Sequence, residues 1–412
     1  MRSGTAPCGL RYAVRRSGSA VGYCALSIRC GTRDEAGFPG GIAHFAEHTI
    51  FRGTSRKSAS VINSYLDRLG GELNAYTTKE EIVLHATVLK EDLGKAAGLL
   101  FELATEATFP DAEIETERGV VLDEIISYKD NPYEDVYDKF EGMLFEGHPL
   151  EKPILGTAAT VKRITPDDLR RFVRTFFVPE RMAFTLVADI DEKILEKKVL
   201  KRVAKVFPQD GASLAEAPAR TSSSLESIPP FSKTVDKRHH EVNAVLGSRA
   251  PSLYDSEDRI TAALLGNILG GPGSNSLLVR ELREKHGWVY NVECNYTQYA
   301  DTGIFAISFG CDKPNLERCL SALDKILDRV REVPLSERTL KAAKKQLLGQ
   351  LAIASDNGEA QCLSMGKSLL AWGRIDTSAE TRTRIEAVTP EALRAMARRL
   401  FDPAVLSRLV YL

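Results

Sequence analysis

GGIAHFAEHTIFRGT, residues 40–54, is the stretch on which the reading of this chain turns. It contains His44-Phe45-Ala46-Glu47-His48. On a helix, residues four apart project from one face one turn apart, so His44 and His48 present their imidazoles side by side. That is the geometry of two nitrogen ligands for one small cation. Glu47, three after His44 and one before His48, lies on the flank of the same face, within reach of a water beside the cation. Catalytic zinc takes three protein ligands and keeps a fourth position open, so a third ligand is required from elsewhere.

Outward from this stretch the chain reads as two similar halves. Gly22–Arg29, ahead of the motif, alternates apolar and polar residues like a strand. Glu241–Gly247 is its counterpart in the second half, followed by a helix-like Asp258–Leu269. Hairpin signals come next, LNAYTTKEEIVLHATVL (73–89) and CNYTQYADTGIFAISFG (294–310), each rich in β-branched and aromatic residues at period two. Helical patterns over Lys90–Thr105 and Asn315–Val330 carry apolar residues at i, i+3, i+4 and i+7. PQDGASLAEAPARTSSSLESIPPFSK (208–233) lacks periodicity and is rich in Pro, Ser and Ala. The expected organisation is a first unit at 1–206, a linker at 207–235 and a homologous second unit at 236–412. The fold class is α+β, each unit an antiparallel sheet with helices packed on one face. Asp258–Leu269 holds no histidine, so the second unit is expected to bind no metal.

Further downstream, DAEIETERGVVLDEIISYK (111–129) is helix-like and rich in glutamate, a residue that on a helix is ordinarily solvated. The order His-x-x-Glu-His is the inverse of the more familiar zinc motif and matches the inverzincin signature. With this helix behind it, the chain resembles the M16 metallopeptidases, which include pitrilysin, insulin-degrading enzyme and the mitochondrial processing peptidase. The resemblance implies Glu124, 76 residues after His48, as third ligand of one Zn2+ per chain, and Glu47 as catalytic base. It implies a supporting role for Glu117, two turns before Glu124 on the same face. GGELNAYTTKEE (70–81) resembles the family's edge strand, where Asn74 and Ala75 would meet an extended substrate read through its main chain. GGPGSNSLLVRELREKHGWVY (270–290) resembles its glycine-rich loop. There Arg283 and Tyr290 would clamp the substrate carbonyl and stabilise the oxyanion. His148 is read as structural.

The implied activity is that of a zinc endopeptidase cleaving peptides or unfolded polypeptide segments bound as an added β-strand inside a closable chamber. The alternatives are a catalytically silent scaffold or partner subunit, and a zinc hydrolase of small molecules. Silent members usually lose a ligand or the base, and this chain keeps all of them. Larger members build the chamber from four units, so a chain of two implies a homodimer. In it the zinc of each chain would face Arg283 and Tyr290 of the other.

Composition is that of an ordinary globular protein. The chain has 412 residues, 43% hydrophobic, with 55 basic and 56 acidic side chains. A net charge of −1 argues against nucleic acid or an acidic membrane as the main partner. No apolar run is long enough for a signal peptide or a membrane span. Seven cysteines, odd in number and without a C-x-x-C pair, fit reduced, mostly buried thiols and a cytoplasmic location.

Overall fold

The computed structural model describes residues 1–207 and 229–412; most of the expected linker, 207–235, lies outside the described residues. Two compact units emerge. The first comprises Met1–Ile126, the described part of 152–221, and Ile353–Asp376; the second comprises Ser127–Glu151, the described part of 222–352, and Thr377–Leu412.

The first unit is built on strands β1 (Arg2–Thr5), β2 (Arg11–Arg16), β3 (Val21–Ile28), β4 (Glu72–Thr77), β5 (Ile82–Leu89) and β6 (Met182–Ala188). They form one sheet in the order β1-β2-β6-β3-β5-β4. All pairs are antiparallel except β2 with β6. The second unit carries β7 (Ser232–Val235), β8 (Glu241–Ala250), β9 (Val289–Gln298), β10 (Gly303–Asp312) and β11 (Ser407–Tyr411), in the order β7-β11-β8-β10-β9. Only β7 and β11 are parallel there. Leaving β1 aside, the two sheets have the same order and the same strand directions, the signature of a duplicated unit.

The α+β class holds, and two details of the expected sheets are corrected. Each sheet is mixed, because the strand that closes it (β6 or β11) pairs in parallel with one far away in sequence, which local periodicity cannot announce. Each sheet is also covered on both faces. β6 is buried along its whole length, a pattern that requires cover on both sides. On one face Leu26, Leu84 and Phe184 join Leu100 and Phe101 of the helix Leu93–Glu106. On the other, Ala13, Ala25 and Ala183 meet Cys362, Met365 and Leu369 of the helix Gly358–Trp372. Gly366 permits that close approach, since a Cβ there would lie 2.4 Å from Ser27 Oγ. The second sheet is covered likewise: the helix Leu316–Glu332 contributes to one core and the helix Pro132–Leu144 to the opposite one. Each unit thus takes one covering helix from the other half of the sequence. Ser232–Val235, expected in the linker, pairs as β7 through its main chain with all four side chains exposed, so it leaves no apolar signal.

All seven cysteines are free thiols, five of them buried. Among the described residues no helix is long and apolar enough to cross a membrane.

Candidate metal centre

The motif helix Ile42–Thr49 turns Ile42, Phe45, Ala46 and Thr49 into the core of the first unit, which leaves His44, Glu47 and His48 on the opposite flank. Its N-terminus begins at Gly41, whose φ of 87° and 2.7 Å approach of an added Cβ to Leu155 O require glycine. No capping side chain comes from Gly41 itself. Instead the buried carboxylate of Glu35 accepts the Gly41 and Ala43 N–H groups, each at 3.0 Å. Burial pushes Glu35 up to about 7 against the opposing pull of those two bonds.

The helix Asp111–Asp130 lays Ile114, Glu117, Val121 and Ile125 along its buried stripe. A carboxylate in such a stripe needs partners. Glu117 has two: its Oε1 lies 2.9 Å from His48 Nδ1, and Arg52 forms an ion pair with Oε2. Nδ1–H of His48 donating to Glu117 leaves the Nε2 lone pair outward. Two turns further along and half-buried, Glu124 brings Oε2 to 3.4 Å from His48 Nε2 and 3.7 Å from His44 Nε2.

These three atoms fit a zinc ion. Two donors about 2.1 Å from one ion at the tetrahedral angle stand about 3.4 Å apart. Burial drives His44 down to about 3, with His48 adding to the effect, so its ring is neutral and its lone pair available. His48 is opposed by burial, but the Glu117 bond and the charges of Glu47 and Glu124 outweigh it and raise its pKa. A metal held there would have to displace the proton of the charged ring. Glu47 is held above the usual carboxylate range chiefly by burial, partly offset by His48. Its Oε2 accepts from Thr77 Oγ1 at 3.4 Å. Thr77 is the last residue of the edge strand β4, so the exposed Asn74 and the half-buried Ala75 lie on the strand that ends at the proposed base.

Arg283 and Tyr290 belong to the second unit. Arg283 is exposed on a π-helical turn, Val279–Lys285; Tyr290, 58% exposed near the start of β9, donates its hydroxyl to Asp312 Oδ1 at 2.7 Å. His148 is buried, accepts the Leu150 N–H at 3.2 Å and lies 3.5 Å from Asp301, in keeping with a structural role. Arg52, Thr77 and Glu35 join the site without standing out in the sequence. Arg52, four after His48, carries a helical-spacing signal; an acid in the loop before a glycine pair carries none.

Fold and site together define a two-unit chain whose first unit gathers His44, His48 and Glu124 into a group that could hold a metal ion. Comparison with known proteins places it: residues 11–158 match the family Insulinase (Peptidase family M16), and residues 163–347 match the Peptidase M16 inactive domain. An uncharacterized zinc protease of Streptomyces coelicolor is 31% identical over 97% of this chain and 86% of its own length. One from Bacillus subtilis is 30% identical over 91% of this chain and 89% of its own. Among solved structures, a protease from Helicobacter pylori superposes with a TM-score of 0.90 at 18% identity, covering 100% of this chain and 98% of that one. The chain is a member of peptidase family M16.

Proposed function

We propose that this protein is a zinc-dependent endopeptidase that hydrolyses peptides or unfolded polypeptide segments laid along β4 as an added strand. The observation that carries this reading is the convergence of His44, His48 and Glu124 beside Glu47, at the end of an exposed sheet edge. The names of its relatives, zinc proteases, agree with it. His44, His48 and Glu124 would hold one zinc ion. When bound, zinc supplies a Lewis acid that acidifies water and stabilises negative charge on oxygen.

The chain's own groups do the rest. Glu47 takes the proton of the attacking water and returns it to the leaving amine, and its raised pKa brings it closer to the working pH of a general base. Glu117 fixes the tautomer and orientation of His48, and Arg52 forms an ion pair with Glu117 in its buried stripe. β4 offers unpaired main-chain groups that position the scissile peptide. Arg283 and Tyr290 donate to the developing oxyanion.

The test is mass-spectrometric mapping of cleavage in a mixed peptide library, with and without a chelator. Cleavage abolished by chelation and restored by zinc is expected. A silent scaffold would give no turnover, and a small-molecule hydrolase no peptide cleavage.

The same reading includes a homodimer whose chamber completes each site with Arg283 and Tyr290 of the second copy, and a cytoplasmic location, supported by the free thiols. Glu47→Gln and Arg283→Ala proteins, each nearly inactive alone, should on subunit exchange recover about a quarter of wild-type activity, since about half the dimers are mixed and carry one intact site. No recovery despite proven exchange would assign Arg283 to the zinc of its own chain.

A further inference from the structure

Both residues proposed to meet the oxyanion stand where regular backbone breaks. Arg283 lies on the π-helical turn Val279–Lys285, and Tyr290 lies near the start of the edge strand β9. Alternation along β9 puts Val292, Cys294 and Tyr296 against the core of the second unit. Continued backwards at period two, it would put Tyr290 there as well. Val289 takes that place instead, and Tyr290 is 58% exposed. The ladder to β10 shows why. Gly310 pairs with Asn291 and Cys311 with Val289, so Tyr290 is an extra residue without a partner on β10. This is the pattern of a β-bulge, which shifts the alternation by one residue and re-aims a side chain.

A bulge disrupts the ladder locally, and a side chain makes up for it here. The Gly310 N–H donates to Asn291 Oδ1 at 2.9 Å. Glycine is needed for this approach, since a Cβ at position 310 would lie 2.8 Å from the same Oδ1 and closer still to Glu241 Oε1. Asn291 is itself exposed, so no burial demands that its side chain be satisfied in this way. Tyr290 gives its hydroxyl proton to Asp312 Oδ1, two residues beyond Gly310. A phenol has one proton to donate, so an oxyanion would take the place of Asp312 as its acceptor. We propose that Asn291 is a positioning residue for Tyr290: by holding the Gly310 N–H it fixes the bulge that turns the phenol out of the core face. Its catalytic service rests on the reading of Tyr290 as an oxyanion donor given above.

The test uses the full zinc-loaded chain and two readouts. The first is independent of hydrolysis: the ring-carbon resonance of Tyr290 beside its hydroxyl, in protein with labelled tyrosine, identified by its loss in Tyr290→Phe. Asp312→Ala supplies the position of a released phenol. Asn291→Ala should move the resonance toward that position, and an unmoved resonance would overturn the proposal. The second readout is peptide cleavage. Tyr290→Phe removes an oxyanion donor and should lower kcat by about two to three orders of magnitude. Asn291→Ala should lower kcat about a hundredfold, as a misplacement of about 1 Å does. KM should stay within about twofold, because the lost contact belongs to the transition state. In the Tyr290→Phe background the same substitution should cost no more than about twofold further, since it acts through the phenol. A full additive loss there would reduce Asn291 to a local support of the sheet and overturn the proposal. Normal turnover of Tyr290→Phe would overturn the oxyanion role and the catalytic service of Asn291 with it. A chain without peptidase activity would defeat the reading above, and the resonance would still decide whether Asn291 places Tyr290.

Discussion

The two units share a strand order and differ in what their equivalent helices present. In the first, the helix after β3 carries His44, Glu47 and His48 toward Glu117 and Glu124. In the second, the helix Asp258–Gly270 after β8 is apolar on nearly every side. Its polar contact to the long helix Glu337–Ala354 is the amide pair Asn267–Gln350, at 2.5 Å. Close by, Asn275 donates to Gln346 at 2.9 Å. Neutral amides satisfy one another and ask for no cation. Imidazoles and carboxylates at the corresponding place leave lone pairs that a metal can take. A fold held by burial tolerates this exchange, because a handful of polar side chains on one helix pair adds little to a core of this size. Chemistry and architecture are separable here, and the second unit is the demonstration.

The largest effect is expected from making the first unit chemically like the second. Glu47→Gln keeps size and helix propensity but accepts no proton. Turnover should fall by about two to four orders of magnitude while zinc stays at one per chain. Loss of metal in that variant would move Glu47 into the coordination sphere. Glu124→Gln puts an amide where the second unit has its own, and zinc content at limiting metal should drop to near zero by mass spectrometry or chelator competition. Wild-type zinc content there would reject Glu124 as a ligand.

The Glu35 carboxylate that anchors the motif helix gives a stability difference between the units. Its folded pKa is raised to about 7 from an ordinary 4.5, so between these values the folded state holds a proton that the unfolded chain has released. Its contribution is therefore fully present below about pH 4.5 and is lost as pH rises through 7, up to about 3 kcal/mol in metal-free protein. Denaturant titrations at pH 5 and pH 8 should show a fall in the wild type that is absent in Glu35→Gln. A parallel fall in both would refute the assignment.

Glu117→Gln should cost about 10–100-fold in zinc affinity, less than Glu124→Gln, because it acts through His48 rather than on the ion. Equal losses would make it a ligand. The smallest effect is expected from the reverse graft. Asn267→His adds one imidazole to the second unit opposite Gln350, without a histidine four residues away. It should leave zinc at one per chain and cost about 1 kcal/mol from the lost hydrogen bond.

Periodicity alone determined a good deal. Gly22–Arg29 reads as the strand found at Val21–Ile28, and Lys90–Thr105 and Asn315–Val330 as the helices found at Leu93–Glu106 and Leu316–Glu332. The i, i+4 spacing of His44 and His48 is enough to put both rings on one face, since a helix is a local object with a fixed pitch. The remaining contacts are non-local. The parallel pairing of β7 with β11 is made by main chain beneath exposed side chains. The covering helices Pro132–Leu144 and Gly358–Trp372 each pack on the sheet of the other sequence half. Each has a buried stripe, but nothing local says what covers it. Arg52 on Glu117 and Glu35 on the amides of Gly41 and Ala43 were set the same way. Such contacts join residues whose meeting depends on the path of the whole chain, and a side chain's sequence neighbours carry no record of that path.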